Sequence, residues 1–171
     1  MPNHNETHDV VVTRRLDAPR ERVWKAWSDP GEVTKWWGPH GFTSPMCRMD
    51  FREGGETHVC MRSDQSRDLY DTWTYTSIET PERIEFVQRF ADENGDRVAP
   101  QDLGLPPGIP HEVPHVVTLT ALDDGSTELT VHEYGYPSAE IAAVSRAGME
   151  QCIDKMASTI ADRGAQAPGS G

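Results

Sequence analysis

The sequence predicts an α+β fold: a seven-stranded, curved antiparallel sheet, two short helices after its first strand, and a long C-terminal helix over one face. Three observations lead there. Six strand-like runs with period-two alternation succeed one another between residues 42 and 134, each bounded by Gly, Pro or Asp-rich turn signals. A seventh run, residues 10–16, precedes two stretches of helical spacing. The longest helical pattern, residues 138–161, comes last.

Residues 10–16 are rich in Val and Thr, whose branched side chains suit a pleated, half-buried surface. They stop at Asp17-Ala18-Pro19, where Asp17 is a candidate helix cap and Pro19 a candidate first-turn residue. Val23, Trp24 and Trp27 then recur at three- and four-residue spacing until Asp29-Pro30-Gly31 breaks the pattern. A second short helix ends near Trp36-Trp37-Gly38-Pro39.

Residues 42–51 and 56–62 form a predicted hairpin around Arg52-Glu53-Gly54-Gly55, whose glycines accept positive φ. A two-residue Glu53-Gly54 loop would set Cys47 opposite Cys60. Strands over 69–78, 83–90, 116–122 and 128–134 follow, separated by turn signals at Thr80-Pro81 and Asp123-Asp124-Gly125-Ser126. Alternation places Trp73 with Tyr75, Ile84 with Phe86 and Gln88, and Val117 with Leu119 and Ala121 on buried faces of their strands. A sheet with one buried face needs a cover. The helix over 138–161, opened by Ser138 as N-cap, offers a stripe of Ile141, Ser145, Gly148, Met149, Cys152, Met156 and Thr159.

Between residues 91 and 114 the chain turns polar, and its five prolines exclude a regular helix or a central strand throughout. A loop of that length in a compact domain is a candidate lid. The domain is expected over 9–161, with 91–114 as a loop insertion and disordered tails, polar or rich in small residues, at 1–8 and 162–171.

Composition excludes several partners. The 28 acidic and 16 basic residues give a net charge of −12, which repels nucleic-acid phosphates and anionic lipid heads. No run approaches the roughly 18 apolar residues of a membrane helix, and residues 1–9 lack the apolar core of a signal peptide. Membrane insertion is not expected, and a cytoplasmic location is. Three cysteines without CxxC spacing argue against a disulfide framework and a zinc knuckle.

Four local signatures carry a resemblance that spans roughly residues 10–160. They are Asp17-Ala18-Pro19 with Val23-Trp24 and Ala26-Trp27; Trp36-Trp37-Gly38-Pro39 with Gly41-Phe42; Asp50-Phe51-Arg52-Glu53-Gly54-Gly55; and Pro81-Glu82-Arg83-Ile84. Together they closely resemble the AHSA-type family, named for homologues of a heat-shock-protein ATPase activator, within the START-like SRPBCC superfamily. The resemblance implies a helix-grip fold with a cavity between sheet and long helix, used across the superfamily for lipids, sterols, polyketides and plant hormones. Two departures touch that cavity: the family's usual Gly-Trp pair in the last helix is Gly148-Met149, and the 91–114 segment is longer than typical.

The candidate ligand-binding residues are Trp37, Trp73, Tyr75, Phe86, His115, Leu119, Met149 and Met156, a set rich in aromatic and thioether side chains. Trp36 and Trp37 stand where such folds open, as cavity wall or as core plug. His58, His115 and His132 fall in strands, where a cavity-facing imidazole acts as acid, base or ligand near neutral pH. Cys47, His58 and Cys60 would cluster around a metal only if they shared a face, so no metal site is expected. Arg14, Arg52 and Glu85 are candidates to pair inside or beside the cavity. Gly54 and Gly55 join strands and do not precede a helix, which disfavours a phosphate cradle, and no cofactor is expected. Without a Gly-x-Ser-x-Gly elbow or an electropositive cysteine, no catalytic residue is assigned.

The leading expectation is non-catalytic binding of a small hydrophobic or aromatic molecule. The alternatives are an enzyme of the polyketide cyclase or dehydratase type using a pocket histidine, and a chaperone-interacting or stress-response module docking through the acidic surface and proline-rich loop. Homodimerisation fits the superfamily, although no apolar stripe demands it.

Overall fold

The first and last strands of the chain lie side by side in the computed structural model, which describes residues 7–166, with side chains through residue 161. β1 (His8–Leu16) pairs with β7 (Thr127–Tyr136), and the sheet continues through β6 (Glu112–Ala121), β5 (Arg83–Ala91), β4 (Leu69–Glu79) and β3 (Glu56–Met61) to β2 (Cys47–Met49). All six pairings are antiparallel. Between β1 and β2 stand α1 (Arg20–Ser28) and α2 (Pro30–Trp36), and α3 (Ala139–Gln166) ends the described chain. No described helix is long and apolar enough to cross a membrane. Of the expected tails at 1–8 and 162–171, residues 1–6 and 167–171 lie outside the described residues; the expected boundaries at 8 and 161 fall inside β1 and α3.

Period-two alternation builds the covered face. Val10, Val12, Leu129, Val131, Val117, Leu119, Ile84, Phe86, Trp73 and Tyr75 are all buried, in phase along their strands. Ala121 is an exception, exposed at the end of β6 beyond the last residue paired with β5. Helix α3 adds Ala142, Met149, Cys152, Ile153, Met156 and Ile160, while Ile141, Ser145, Gly148 and Thr159 of the expected stripe are half-buried. Its cap is the expected one: Ser138 Oγ accepts from the Ile141 N–H at 3.2 Å.

Three local expectations need correction. Asp17 does not cap α1, whose N-cap is Pro19 without a side-chain bond; Asp17 pairs with Arg15 at 2.6 Å. Asp29 caps α2 by accepting from the Glu32 N–H at 3.2 Å, with Pro30 in the first turn.

The first hairpin is one register away from the expected one. Cys47 pairs with Val59 and Met49 with Thr57, so the connection is longer than two residues and Cys47 does not face Cys60. Arg52–Gly55 forms the turn, with Gly54 at φ +83 and the Gly55 N–H donating to Arg52 O at 2.8 Å. A Cβ on Gly55 would lie 2.1 Å from the backbone oxygen of Asp50. The Gly54 N–H donates to Tyr75 O at 2.9 Å, so both glycine amides serve the turn and the sheet.

β6 starts at Glu112, earlier than the expected 116, and contains Pro114. The proline is tolerated because residues 112–114 pair with β5 alone, pairing with β7 beginning only at His115. The rest of the 91–114 segment makes a turn bridged at Ala91 and Arg97, a 3-10 turn at Pro100–Leu103, and a strap back to β6. Gly108 in the strap, at φ +92, approaches α3 so closely that a Cβ there would sit 2.7 Å from Ile141 Cδ1.

Candidate ligand-binding site

The face under α3 is filled at one end and hollow at the other. At the filled end, Trp27 and Trp36 lie 4.6 Å apart, Trp36 stacks on Trp73 at 6.3 Å, and Trp73 stacks on Phe86 at 5.1 Å. At the other end is a cavity of about 290 Å³. A cavity of about 150 Å³ holds benzene, so this one has room for roughly twice that body.

Four parts of the chain make the wall. Helix α3 contributes Ile141, Val144, Ser145, Gly148, Met149 and Cys152. The sheet contributes Leu69, Gln88, Phe90, His115, Glu133 and Tyr136. The strap gives Leu105, Ile109 and Pro110, and the turn after α2 gives Trp37, Gly38 and Pro39. Small side chains on α3 leave the space: a Cβ added to Gly148 would meet nothing within 4 Å. Val144, 75% exposed, marks the rim.

One polar cluster interrupts this apolar wall. Glu133, only 2% exposed, accepts the hydroxyl protons of Tyr136 and Ser145 on Oε1, the latter at 2.7 Å. Its Oε2 has no hydrogen-bond partner. His115 faces it across the β6–β7 pair, with Nε2 3.8 Å from Oε1 and Nδ1 bonded to Val113 O at 3.0 Å. That second contact requires Nδ1 to carry the proton, so in the neutral ring Nε2 holds a lone pair. Burial pushes the His115 pKa down, partly opposed by the Glu133 charge, and burial pushes the Tyr136 phenol up. The Cys152 thiol, raised to about 12 by burial, is protonated at neutral pH and a poor nucleophile.

A second buried acid stands behind the cavity wall, bonded to its Gln88. Asp71 Oδ2 accepts from Trp73 Nε1 at 3.0 Å and from Gln88 Nε2 at 2.8 Å, tying the filled end to the cavity wall. Burial raises its pKa to about 7, against the lowering effect of those two donors.

Of the residues expected to contact a ligand, Trp37, His115 and Met149 lie on the cavity wall. Trp73, Tyr75, Phe86, Leu119 and Met156 do not; each is buried at 3% exposure or less in the packed core. This division has a simple cause: α1, α2 and the C-terminal half of α3 fill that end of the face, and sequence phase specifies a face without specifying a position along it. Tyr75 is spent on Thr57, hydroxyl to hydroxyl at 2.6 Å, and on ring contact with Phe51 at 5.0 Å. The two readings of the tryptophan pair divide between them: Trp36 is fully buried, its Nε1 donating to Ala26 O at 2.8 Å, while Trp37 forms wall.

Of His58, His115 and His132, only His115 reaches the cavity. His58 lies on the opposite face of β3, stacked on Tyr70 and bonded to Asp92 O at 3.0 Å. His132 pairs with Asp9 at 3.0 Å. Cys47 is on Val59's face and so opposite to His58 and Cys60, and among the described residues no three His, Cys, Asp or Glu side chains gather as a metal site would require. The expected charges pair outside the cavity: Arg14 with Asp154, Arg52 with Asp50, and Glu85 with Arg83.

Glu133 and Tyr136 escaped the sequence reading, although a signal for the first existed. Glu133 is in phase with Leu129 and Val131, a charged residue on an otherwise apolar strand face. Tyr136, three residues on, reaches the same wall only because β7 is irregular near its end, where pairing with β1 shifts.

Comparison with known proteins agrees with this architecture. CV1439 from Chromobacterium violaceum superposes with a TM-score of 0.73 at 25% identity, over 89% of this chain and 96% of that one. Ms6760 from Mycobacterium smegmatis gives 0.68 at 26% identity, over 92% and 91%. An AHSA1 protein from Silicibacter pomeroyi gives 0.70 at 17% identity, over 90% and 98%, a likeness of fold alone. No protein of curated function matches the sequence. The family model described as Activator of Hsp90 ATPase homolog 1-like protein matches residues 17–161, and the chain belongs to that family.

Proposed function

We propose that the protein binds a small, largely apolar molecule in the cavity under the first half of α3. The observation that carries this reading is a hollow of about 290 Å³ at one end of a face packed solid at the other. Its size falls at the lower end of small-molecule pockets, which start near 300 Å³ and combine apolar walls with a few polar groups. Burying about 300 Å² of ligand surface supplies up to roughly 7 kcal/mol before association costs, which corresponds to micromolar affinity at best.

The test is a titration with 3-phenyl-1-propanol followed by NMR, beside native mass spectrometry of protein purified without refolding. Expected are amide shifts confined to α3, the strap and the ends of β5–β7, absent in Gly148→Leu. No shift at millimolar probe and no co-purified mass would overturn the reading.

A second reading, an acid/base enzyme on the same cavity, is favoured by one observation: His115, Glu133 and Tyr136 converge on the wall. The His115 lone pair at Nε2 is the natural general base, and one such group adds about 10² to 10⁴-fold to a rate. Turnover of a bound ligand that His115→Gln abolishes while retaining affinity would establish it; unchanged ligand recovered after prolonged incubation would exclude it.

A further inference from the structure

We infer that the ligand carries a protonated amine beside its apolar body, seated with its nitrogen against Glu133. The inference rests on the binding reading above and narrows it to one chemical class.

Glu133 is the only carboxylate on the cavity wall, and no Lys or Arg lines that wall among the described residues. Its Oε1 is held by two hydroxyl donors, Tyr136 and Ser145, while Oε2 has no partner. Hydroxyls orient a carboxylate but supply no countercharge. The neighbouring imidazole does not supply it either: Nε2 stands 3.8 Å away, beyond hydrogen-bond reach, and the ring's proton is on Nδ1, given to Val113 O. Burial keeps that ring neutral.

Cations on α3 and on the neighbouring β1 are committed elsewhere, Arg146 to Glu150 at 3.9 Å. Lys155 Nζ donates to Gly38 O at 2.8 Å and Phe42 O at 3.0 Å, and Arg14 holds Asp154 at 2.9 Å. A buried carboxylate in this state lacks the opposite charge that would offset its desolvation, and an incoming ammonium provides both charge and donors. Trp37, Phe90 and Tyr136 in the same wall give an ammonium π-electron neighbours, which favour it most where water is excluded. At longer range the net charge of −12 draws cations toward the protein and repels anions. An acid-bearing ligand would meet the reverse of every one of these features.

The experiment is calorimetric titration at pH 7.5 with three probes of one body: 3-phenylpropylamine, 3-phenyl-1-propanol and 3-phenylpropionate. The amine is expected to bind at least about tenfold tighter than the alcohol, the size of one charge-assisted hydrogen bond, with the propionate weakest. Glu133→Gln, which keeps an acceptor for both hydroxyls, is expected to bring amine and alcohol within about twofold while retaining the alcohol. Equal binding of amine and alcohol by the wild-type protein, or an amine preference that survives Glu133→Gln, would overturn the inference and leave the cavity reading standing. Binding of none of the three would remove both. The wild-type comparison among probes decides the matter even where the variant does not fold.

Discussion

The two ends of the face beneath α3 share one sheet and one helix, yet one is solid and the other hollow. At the solid end α3 presents Ile153, Met156 and Ile160, and α1 and α2 drive Trp27 and Trp36 against Trp73. At the hollow end it presents Ser145 and Gly148, and a strap carrying Leu105, Ile109 and Pro110 stands in place of α1 and α2. The difference teaches that the void follows from small residues at chosen helix positions and from polar groups that an apolar plug would leave unsatisfied.

The sharpest way to break that contrast is truncation. Trp73→Ala, in the solid end, is expected to cost about 3–5 kcal/mol, because dense packing there cannot collapse onto the gap. Met149→Ala is expected to cost less than half as much, since its side chain already borders empty space. Urea unfolding measures both, and equal losses would mean the two ends are packed alike.

Next in size is the pH dependence of the residue that joins the ends. The Asp71 carboxyl titrates near 7 when folded, above its usual 3.8, so over that window the folded state holds a proton that the unfolded chain has released. Stability therefore falls as pH rises through the window, by up to roughly 4 kcal/mol, and levels off above it. Asp71→Asn keeps an acceptor for Trp73 and Gln88 and is expected to remove this slope and to exceed the wild type in stability at pH 8. His115 acts with the opposite sign: its folded pKa lies below the usual 6.5, so stability is lost as pH drops below that value, and His115→Gln removes this part. Unfolding midpoints from pH 4 to 8 for both variants check the two signs.

Filling the hollow is a smaller change with a selective readout. Met149→Trp places the larger ring of the family's usual pair into the cavity, and is expected to weaken 3-phenyl-1-propanol binding by more than about tenfold with little change in unfolding midpoint. Retained affinity would put the ligand elsewhere. The smallest effect belongs to the solid end's border: Asp29→Ala removes the cap of α2 and is expected to cost about 1 kcal/mol without altering probe affinity, measured by urea unfolding and titration.

Legibility in the sequence followed how local each feature is. Strand phases, the break at Asp29-Pro30-Gly31 and the Ser138 cap depend on neighbours within a turn, and they appear as expected. The hairpin register did not, because Gly54 and Gly55 are set by their bonds to Tyr75 on a third strand as much as by their own turn. Pro114 reads as loop in the sequence because its place on a stretch of β6 paired on one side only exists solely in the assembled sheet.

By itself, then, the amino-acid order determined which side chains turn toward α3: alternation puts Trp73, Phe86, His115 and Glu133 on that side whatever lies above them. Only the tertiary structure decided which of them meet a void. That division depends on how far α1 and α2 reach across the sheet and where Gly148 falls along α3, distances set by packing between segments more than a hundred residues apart, for which a periodic pattern carries no measure.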